Sequence, residues 1–169
     1  GLVRIAYSEG GKSAALVEVN SETDFVAKNE DFINFVERIA EITLENDVKD
    51  VETLKEAKYS DENAVGEELT AKIAKIGENL NIRRFEKFNQ DGVVYTGYIH
   101  TNGMIGVVIG LETAATAEEV AVLGKDIAMQ VASMNPKFLD RSFVDTEYIA
   151  HEKEILRHQV LNEGKPENM

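Results

Sequence analysis

The sequence contains no cysteine, and this absence removes several kinds of chemistry at once. Without thiols the chain can form no disulfide framework, no thiolate nucleophile and no thiolate metal site. The absence suits a reducing compartment. Because the sequence also shows no signal peptide, we expect the protein to lie in the cytoplasm.

The sequence also lacks long apolar runs and has few basic residues. No run approaches the roughly 20 apolar residues that are needed to span a membrane, so we do not expect a membrane protein. Lys and Arg number 18 against 31 Asp and Glu, which gives a net charge of −13. A charge of this sign repels phosphate backbones and anionic lipids. The composition therefore argues against nucleic acids and membranes as direct partners.

No set of residues has the spacing of a catalytic or metal site. Residues 11–13 read Gly-Lys-Ser, like the end of a nucleotide-binding P-loop, but Ala6 stands where that motif needs glycine and a strand follows instead of a helix. His151 and Glu152 would begin a zinc-protease motif, but Ile155 replaces its second histidine. The carboxylates are scattered over helix faces. We therefore predict a protein that is not an enzyme and that needs no metal or cofactor.

The first half of the chain predicts a β-hairpin, several helices and a third strand. Residues 2–8 and 13–19 are apolar-rich runs separated by a turn with two glycines, a pattern typical of a hairpin. Over 30–44 apolar residues recur at three- and four-residue steps, which predicts an amphipathic helix with Phe32, Phe35, Val36, Ile39, Ala40 and Thr43 on its inner face. The remaining elements are a short helix at 51–57, a helix at 64–76 that ends at Gly77, and a strand at 81–88.

The second half repeats this pattern. Two β-rich runs, 93–100 and 104–111, flank an Asn-Gly pair, which is a strong hairpin signal. When Gly11 is aligned with Gly103, Leu2 falls on Val94 and Val19 falls on Leu111. A capping box at 116–119 then starts a helix that runs to about residue 134. Its spacing predicts an inner face of Val120, Leu123, Ile127, Val131 and Met134.

These patterns predict an α+β fold with two related subdomains. Each is an antiparallel β-hairpin or sheet packed with helices, over residues 1–90 and 91–141, and the second is incomplete. A last helix begins at the cap Asp145 and runs to about residue 162. Its apolar stripe, formed by Ile149, Leu156 and Val160, is thin, which favours a projecting C-terminal helix.

Polar residues surround Phe25 between the first hairpin and its helix. Side chains such as those of Ser21 and Thr23 bond to nearby backbone and end strands or start helices. We therefore expect Asp24 and Phe25 to lie at a strand-to-helix corner on the surface. The ring has two possible roles. It is displayed for a partner, or it is a staple that packs against the following helix.

Several segments together resemble the bacterial elongation factor Ts family. They occur in the family's order, cover nearly the whole chain, and read ETDFVAKN at 22–29, KIGEN at 75–79, NIRR at 81–84, YIHTNGMIGV at 98–107, IAMQVA at 127–132 and NPKF at 135–138. The resemblance implies a two-subdomain core that binds the GTPase elongation factor Tu. It also implies that the chain is a guanine nucleotide exchange factor, which ejects GDP by disturbing the magnesium and phosphate site of that GTPase.

The resemblance also implies which residues bind the partner. In the family, an aspartate and a phenylalanine reach the nucleotide-binding domain, and the ring inserts beside the magnesium site. These residues match Asp24 and Phe25, and further family contacts match Ile76 and His100. The implied partner-binding set is Thr23, Asp24, Phe25, Val26, Ile76, Gly77, Asn79, His100, Asn102 and Gly103.

The same resemblance implies that parts of the family's pattern are absent. Both ends of the chain look cut, and a small N-terminal helical module and a C-terminal module are missing, so we expect binding to be weak or lost. Residues 142–169 match the start of a helical hairpin that mediates dimerisation in some members, which implies a homodimer as one state. The rival hypothesis is an acidic structural or adaptor protein that dimerises through its last helix. A hydrolase would need convergent groups that the sequence does not show.

Overall fold

The structure is a computed structural model that describes residues 1–162. It is an α+β protein, as the sequence predicts. Residues Gly1–Met134 form one compact unit, and the residues from Asn135 onwards form another. The strands are β1 (Leu2–Tyr7), β2 (Ala14–Asn20), β3 (Asn81–Phe88), β4 (Val93–Ile99) and β5 (Gly106–Glu112), and the helices are α1 (Glu30–Glu45), α2 (Val51–Glu56), α3 (Val65–Ile76), α4 (Ala117–Met134) and α5 (Thr146–Asn162).

The first sheet is antiparallel in the order β1-β2-β3, and α1 covers it. Alternate residues of β2 turn one face of the sheet toward the core, where Val17 and Val19 are fully buried. The helix meets this face with all six residues that its spacing predicts. The hydroxyl of buried Thr43 donates to the Ile39 carbonyl oxygen at 2.7 Å, so this polar group is satisfied inside the core.

The ends of α1 and α3 follow from their capping residues. The Asn29 side-chain oxygen accepts hydrogen bonds from the N–H groups of Asp31 and Phe32, at 2.9 and 3.4 Å, and so starts α1. Helix α3 ends at Gly77, whose φ of 79° is in the left-handed region that glycine adopts readily. The predicted end of this helix at Gly77 is confirmed.

The second sheet contains β4 and β5 and repeats the first hairpin in register. Its turn is closed by the N–H of Gly103, which donates to the His100 carbonyl oxygen at 2.7 Å. The aligned positions occupy the same places in the two ladders. The corresponding pairs are Leu2–Val19 with Val94–Leu111, and Tyr7–Ala14 with Ile99–Gly106. The internal repeat that the sequence predicts is therefore confirmed at the level of strand pairing.

The two hairpins pack closely against each other. The N–H of Val3 in β1 donates to the carbonyl oxygen of Gly103 at 2.8 Å. A Cβ added to Gly97 would lie 2.2 Å from the Val107 carbonyl oxygen and 2.7 Å from the Tyr7 hydroxyl. The backbone of β4 therefore lies so close to β5 and to the Tyr7 side chain that only glycine fits at position 97. Burial raises the pKa of the Tyr7 hydroxyl.

Helix α4 begins and ends where predicted, but its predicted inner face is wrong except at Val120. The capping box is present, with the Glu119 N–H donating to the Thr116 hydroxyl oxygen at 3.3 Å. Leu123, Ile127 and Met134 are exposed, and Val131 is half-buried. The buried residues are Val120, which the spacing predicts, and Gly124 and Ala128, which it does not. Small residues let the helix backbone approach the sheet closely, and this rotates the larger side chains away from it.

The second unit contains α5. The Asp145 carboxylate accepts a hydrogen bond from the Tyr148 N–H at 2.6 Å, which confirms the predicted cap. The ring of Tyr148 packs edge-on against Phe138, with 5.0 Å between ring centroids. No residue of α5 is buried. Residues 163–169, the end of the predicted 142–169 module, lie outside the described part. Within residues 1–162 no helix is both long and apolar enough to cross a bilayer.

Candidate functional site

The corner between β2 and α1 displays Phe25. Its ring is 84% exposed, and Thr23 and Asp24 beside it are also exposed. A staple would pack its ring against the helix, so this exposure contradicts the staple hypothesis. An exposed phenyl ring next to a carboxylate offers an apolar contact and a charge to one partner.

The backbone of the corner is held by local hydrogen bonds and one buried side chain. The N–H groups of Lys28 and Asn29 donate to the carbonyl oxygens of Phe25 and Val26, at 3.1 and 2.9 Å. Val26 is buried in the core below. The chain therefore makes a short 3₁₀ turn, Val26–Lys28, that lifts the preceding ring out of the surface.

A long-range contact joins this corner to the end of α3. The Glu78 carboxylate accepts two hydrogen bonds from Thr23, at 3.0 Å from its N–H and 2.5 Å from its hydroxyl. Here Ile76 is half-buried, while Gly77 and Asn79 are exposed. The structure thus places residues 23–26 beside the segment that carries the predicted residues Ile76, Gly77 and Asn79, although Thr23 and Glu78 are 55 residues apart in sequence.

The end of α3 is also tied to the start of α1. Lys75 forms an ion pair and a hydrogen bond with Asp31, and this contact lowers the pKa of that carboxyl group. The charges suit their places, since a cation is favoured in the last turn of a helix and an anion in the first. The segment that carries Glu78 therefore begins at a helix end whose position is fixed by this ion pair.

The remaining predicted residues lie in the turn of the second hairpin. His100 is exposed, and its Nδ1 lies 2.9 Å from the Tyr98 hydroxyl. Asn102 is exposed, and its side-chain oxygen accepts a hydrogen bond from the Met104 N–H at 3.0 Å. Gly103 has a φ of 70° and is buried, and a Cβ there would lie 2.6 Å from Leu2 Cδ2. This glycine therefore shapes the turn and has little surface to offer.

A single groove connects the corner with this turn. It has a volume of about 810 Å³ and is lined by Asp24 and Lys28 on one side and by residues 99–104 on the other. Arg4 and the apolar side chains of Leu2 and Ile33 complete the lining. The predicted residues fall in three segments, 23–26, 76–79 and 100–103, and the structure brings all three onto one connected surface. The groove joins the first segment to the last, and the contact between Glu78 and Thr23 joins the first segment to the second.

The described residues do not assemble a metal centre. Among residues 1–162, no group of three or more His, Asp or Glu side chains is close enough to hold a metal ion. What the site contains is an exposed ring, a carboxylate, an imidazole and a groove.

The comparison with known proteins identifies the family of this chain. Residues 22–169 match the sequence model of the family described as elongation factor TS. The chain belongs to the elongation factor Ts family. All ten predicted partner-binding residues lie inside the matched range, whereas Leu2 and Arg4 of the groove lining lie outside it.

Individual elongation factor Ts proteins are also similar to this chain. It is 54% identical to the one from Clostridium novyi (strain NT) over 171 residues, and 51% identical to the one from Clostridioides difficile (strain 630) over 169 residues. A third, from Clostridium perfringens (strain SM101 / Type A), is 46% identical over 169 residues. These alignments cover 100% of this chain and 55–56% of the relatives. The chain therefore spans a little over half the length of the relatives it matches.

Sequence reasoning missed Glu78 in this member of the elongation factor Ts family. The residue lies inside the KIGEN segment, between Gly77 and Asn79, which were both predicted to bind the partner. Its role depends on a side-chain contact across the fold, and no local pattern encodes such a contact. The only signal in the sequence was that the segments at 22–29 and 75–79 both resemble the family.

Proposed function

We propose that this chain binds elongation factor Tu and promotes the release of GDP from it during translation elongation, in the cytoplasm. It acts by contact alone and breaks no covalent bond. Family membership supports the choice of partner, and the 84% exposure of the Phe25 ring is the observation that carries the mechanism. The subdomain over residues 1–90 supplies the Phe25 corner, and the one over 91–141 supplies the turn at His100.

The mechanism follows from differential affinity. An exchange factor must bind the nucleotide-free GTPase more tightly than the GDP-bound form, and GDP must then weaken its binding by the same factor. Phe25 inserts between elements of the GTPase next to its magnesium site and stabilises a conformation in which the metal ligands are misplaced. Asp24 adds a negative charge beside the phosphates that GDP presents, which raises the free energy of the GDP-bound complex.

The test is the release of a fluorescent GDP from elongation factor Tu, followed by stopped flow. Burying a Phe side chain is worth about 1.5–3 kcal/mol, so Phe25→Ala should slow the stimulated release about ten- to a hundredfold. Its melting temperature should stay within about 1 °C, because the ring has few contacts to lose. Phe143→Ala is the matched control, since this ring is also exposed but lies in the second unit. Equal rates for wild type and Phe25→Ala would contradict the proposed mechanism.

A pull-down tests the choice of partner independently of the mechanism. The chain should retain elongation factor Tu, and excess GDP should release it, because linkage is reciprocal. Retention that is indifferent to GDP would mean that the chain is a binding protein without exchange activity. No retention at micromolar concentrations of both proteins would contradict the proposed partner.

A homodimer through α5 is a second proposal. Ile149, Ile155 and Leu156 are exposed on this helix, and apolar side chains of this kind favour association with another surface. Light scattering across a concentration series should give a mass that rises toward twice that of one chain, and Leu156→Glu should abolish the rise. A constant monomer mass in the wild type would contradict this proposal.

A further inference from the structure

We infer that Glu78 is a positioning residue that fixes the corner from which Phe25 is presented. This inference deepens the proposed exchange function and rests on it. Glu78 does not belong to the predicted partner-binding set and is itself half-buried. Its role is to hold Thr23, and through it the two residues that follow, in one conformation.

The geometry of the contact suits this role. Each carboxylate oxygen accepts one hydrogen bond from Thr23, Oε2 from the backbone N–H and Oε1 from the hydroxyl. The first bond restrains the backbone directly before Asp24, and the second selects one rotamer of the threonine. Hydrogen bonds to an ionised carboxylate are roughly twice as strong as those between neutral groups.

The corner has few other restraints on its N-terminal side. Residues 22–25 are exposed, and Val26 is the first buried side chain after them. Besides the bonds to Glu78, the structure gives this stretch a bond from the Ser21 hydroxyl to the Thr23 carbonyl oxygen at 3.1 Å, and one at its C-terminal end from the Lys28 N–H to the Phe25 carbonyl oxygen at 3.1 Å. Segments with few buried contacts open at low free energy. The stretch before Phe25 would therefore be mobile without Glu78.

Glu78 itself is held on a rigid frame. It follows the left-handed Gly77 that ends α3, and it precedes Leu80, which is buried in the core. One turn earlier in α3, the ion pair between Lys75 and Asp31 fastens the helix to α1. The backbone is thus fixed on both sides of Glu78. The hydrogen bonds of its carboxylate therefore hold Thr23 in a fixed position relative to the core.

Loss of this restraint should lower exchange without unfolding the protein. A corner that samples many conformations must be ordered when the GTPase is engaged, and the apparent affinity falls in proportion to the competent fraction. We expect Glu78→Ala to lower the efficiency of GDP release about three- to thirtyfold. The effect should appear as a higher factor concentration for half-maximal release.

The first experiment does not involve the GTPase. Solvent exchange of the Thr23 amide, measured by NMR on the 169-residue chain, should be about tenfold faster or more in Glu78→Ala. Glu62→Ala is the control, because it also removes one carboxylate, an exposed one whose side chain makes no hydrogen bond or ion pair among residues 1–162. An unchanged Thr23 exchange rate in Glu78→Ala would overturn the inference, whatever the GTPase does.

The second experiment measures GDP release with Glu78→Ala, Thr23→Val, the double variant and Glu78→Gln. Thr23→Val removes only the hydroxyl bond, and Glu78→Ala removes both bonds, so the double variant should be no slower than Glu78→Ala alone. Glu78→Gln keeps one acceptor oxygen and should restore part of the rate. If wild type is active and Glu78→Ala matches it, the inference is wrong while the proposed function stands. If wild type itself fails to release GDP, the proposed function is wrong, and the Thr23 amide still decides whether Glu78 orders the corner.

Discussion

Helices α1 and α4 follow equivalent hairpins, but they contact their sheets through different kinds of residue. Helix α1 inserts large side chains, including two phenylalanines, and buries every one of them. Helix α4 approaches through Val120, Gly124 and Ala128 and leaves its larger apolar residues exposed. The same topology thus supports a deep core between the first hairpin and α1 and a shallow one between the second hairpin and α4. Equivalent positions in a repeat need not contribute equally to stability.

This difference between α1 and α4 follows from the distance between each helix and its sheet. A Cβ added to Gly124 would lie 2.0 Å from Thr96 Cγ2, so the helix backbone almost touches β4. No room remains between them for a leucine or an isoleucine. Around α1, in contrast, Phe32, Phe35 and Ile39 fill the space between helix and sheet.

The largest expected difference between the two helices comes from cutting back one isoleucine in each. Ile39 is 0% exposed and Ile127 is 36% exposed. Ile39→Ala should therefore lower the free energy of unfolding by about 2–5 kcal/mol, and Ile127→Ala by under about 1 kcal/mol. Equilibrium urea melts of both variants measure this. Similar losses at the two positions would show that the two cores are equally deep.

A second, smaller effect concerns the glycines of the helices. Gly124→Ala gains up to about 1 kcal/mol of helix propensity, but it forces α4 away from Thr96, which costs about 1–3 kcal/mol, so we expect a net loss. Gly66→Ala in α3 is the matched control, because its Cβ would meet Lys55 atoms at 3.4 Å, an ordinary contact distance. That variant should be neutral or more stable. Thermal melts decide, and a stabilised Gly124→Ala would mean that the close approach is not required.

The same pair of helices shows what the sequence could predict. Three- and four-residue spacing places α1 correctly because its large apolar residues are also its inner ones. On α4 the rule selects Leu123 and Ile127, since it ranks residues by hydrophobicity and cannot see that Gly124 brings the backbone against a strand. Capping residues and the Asn-Gly turn were predictable because they act within a few residues of chain.

In the candidate site, too, the local features were predictable from the sequence and the long-range contacts were not. The position of Phe25 at a surface corner was predictable from the polar residues around it, because these end a strand locally, but the sequence left open whether its ring is displayed or packs as a staple. Its fixation by Glu78 was not, since that contact joins residues far apart in sequence. The groove between Asp24 and His100 depends on the packing of two hairpins, and the repeat alone does not specify how they pack.

The smallest expected effect concerns the charge that caps α4. The hydrogen bond from the Thr116 N–H lowers the pKa of Glu119 below its ordinary value of 4.5. A carboxyl group whose pKa is lower in the folded state stabilises the fold above its unfolded value, and this contribution is lost as the pH falls through the folded value. Wild type should therefore melt slightly above Glu119→Gln at pH 7.

The difference between the two melting temperatures should shrink below pH 4.5 and disappear once Glu119 is protonated in the folded protein. Glu118→Gln is the control, because Glu118 lies in the same first turn but makes no hydrogen bond among the described residues. Its effect on the melting temperature reports only the attraction of a negative charge to the helix N-terminus. If the two variants have the same pH profile, the capping box adds nothing to this general attraction, and α4 is held mainly by its packing against Thr96.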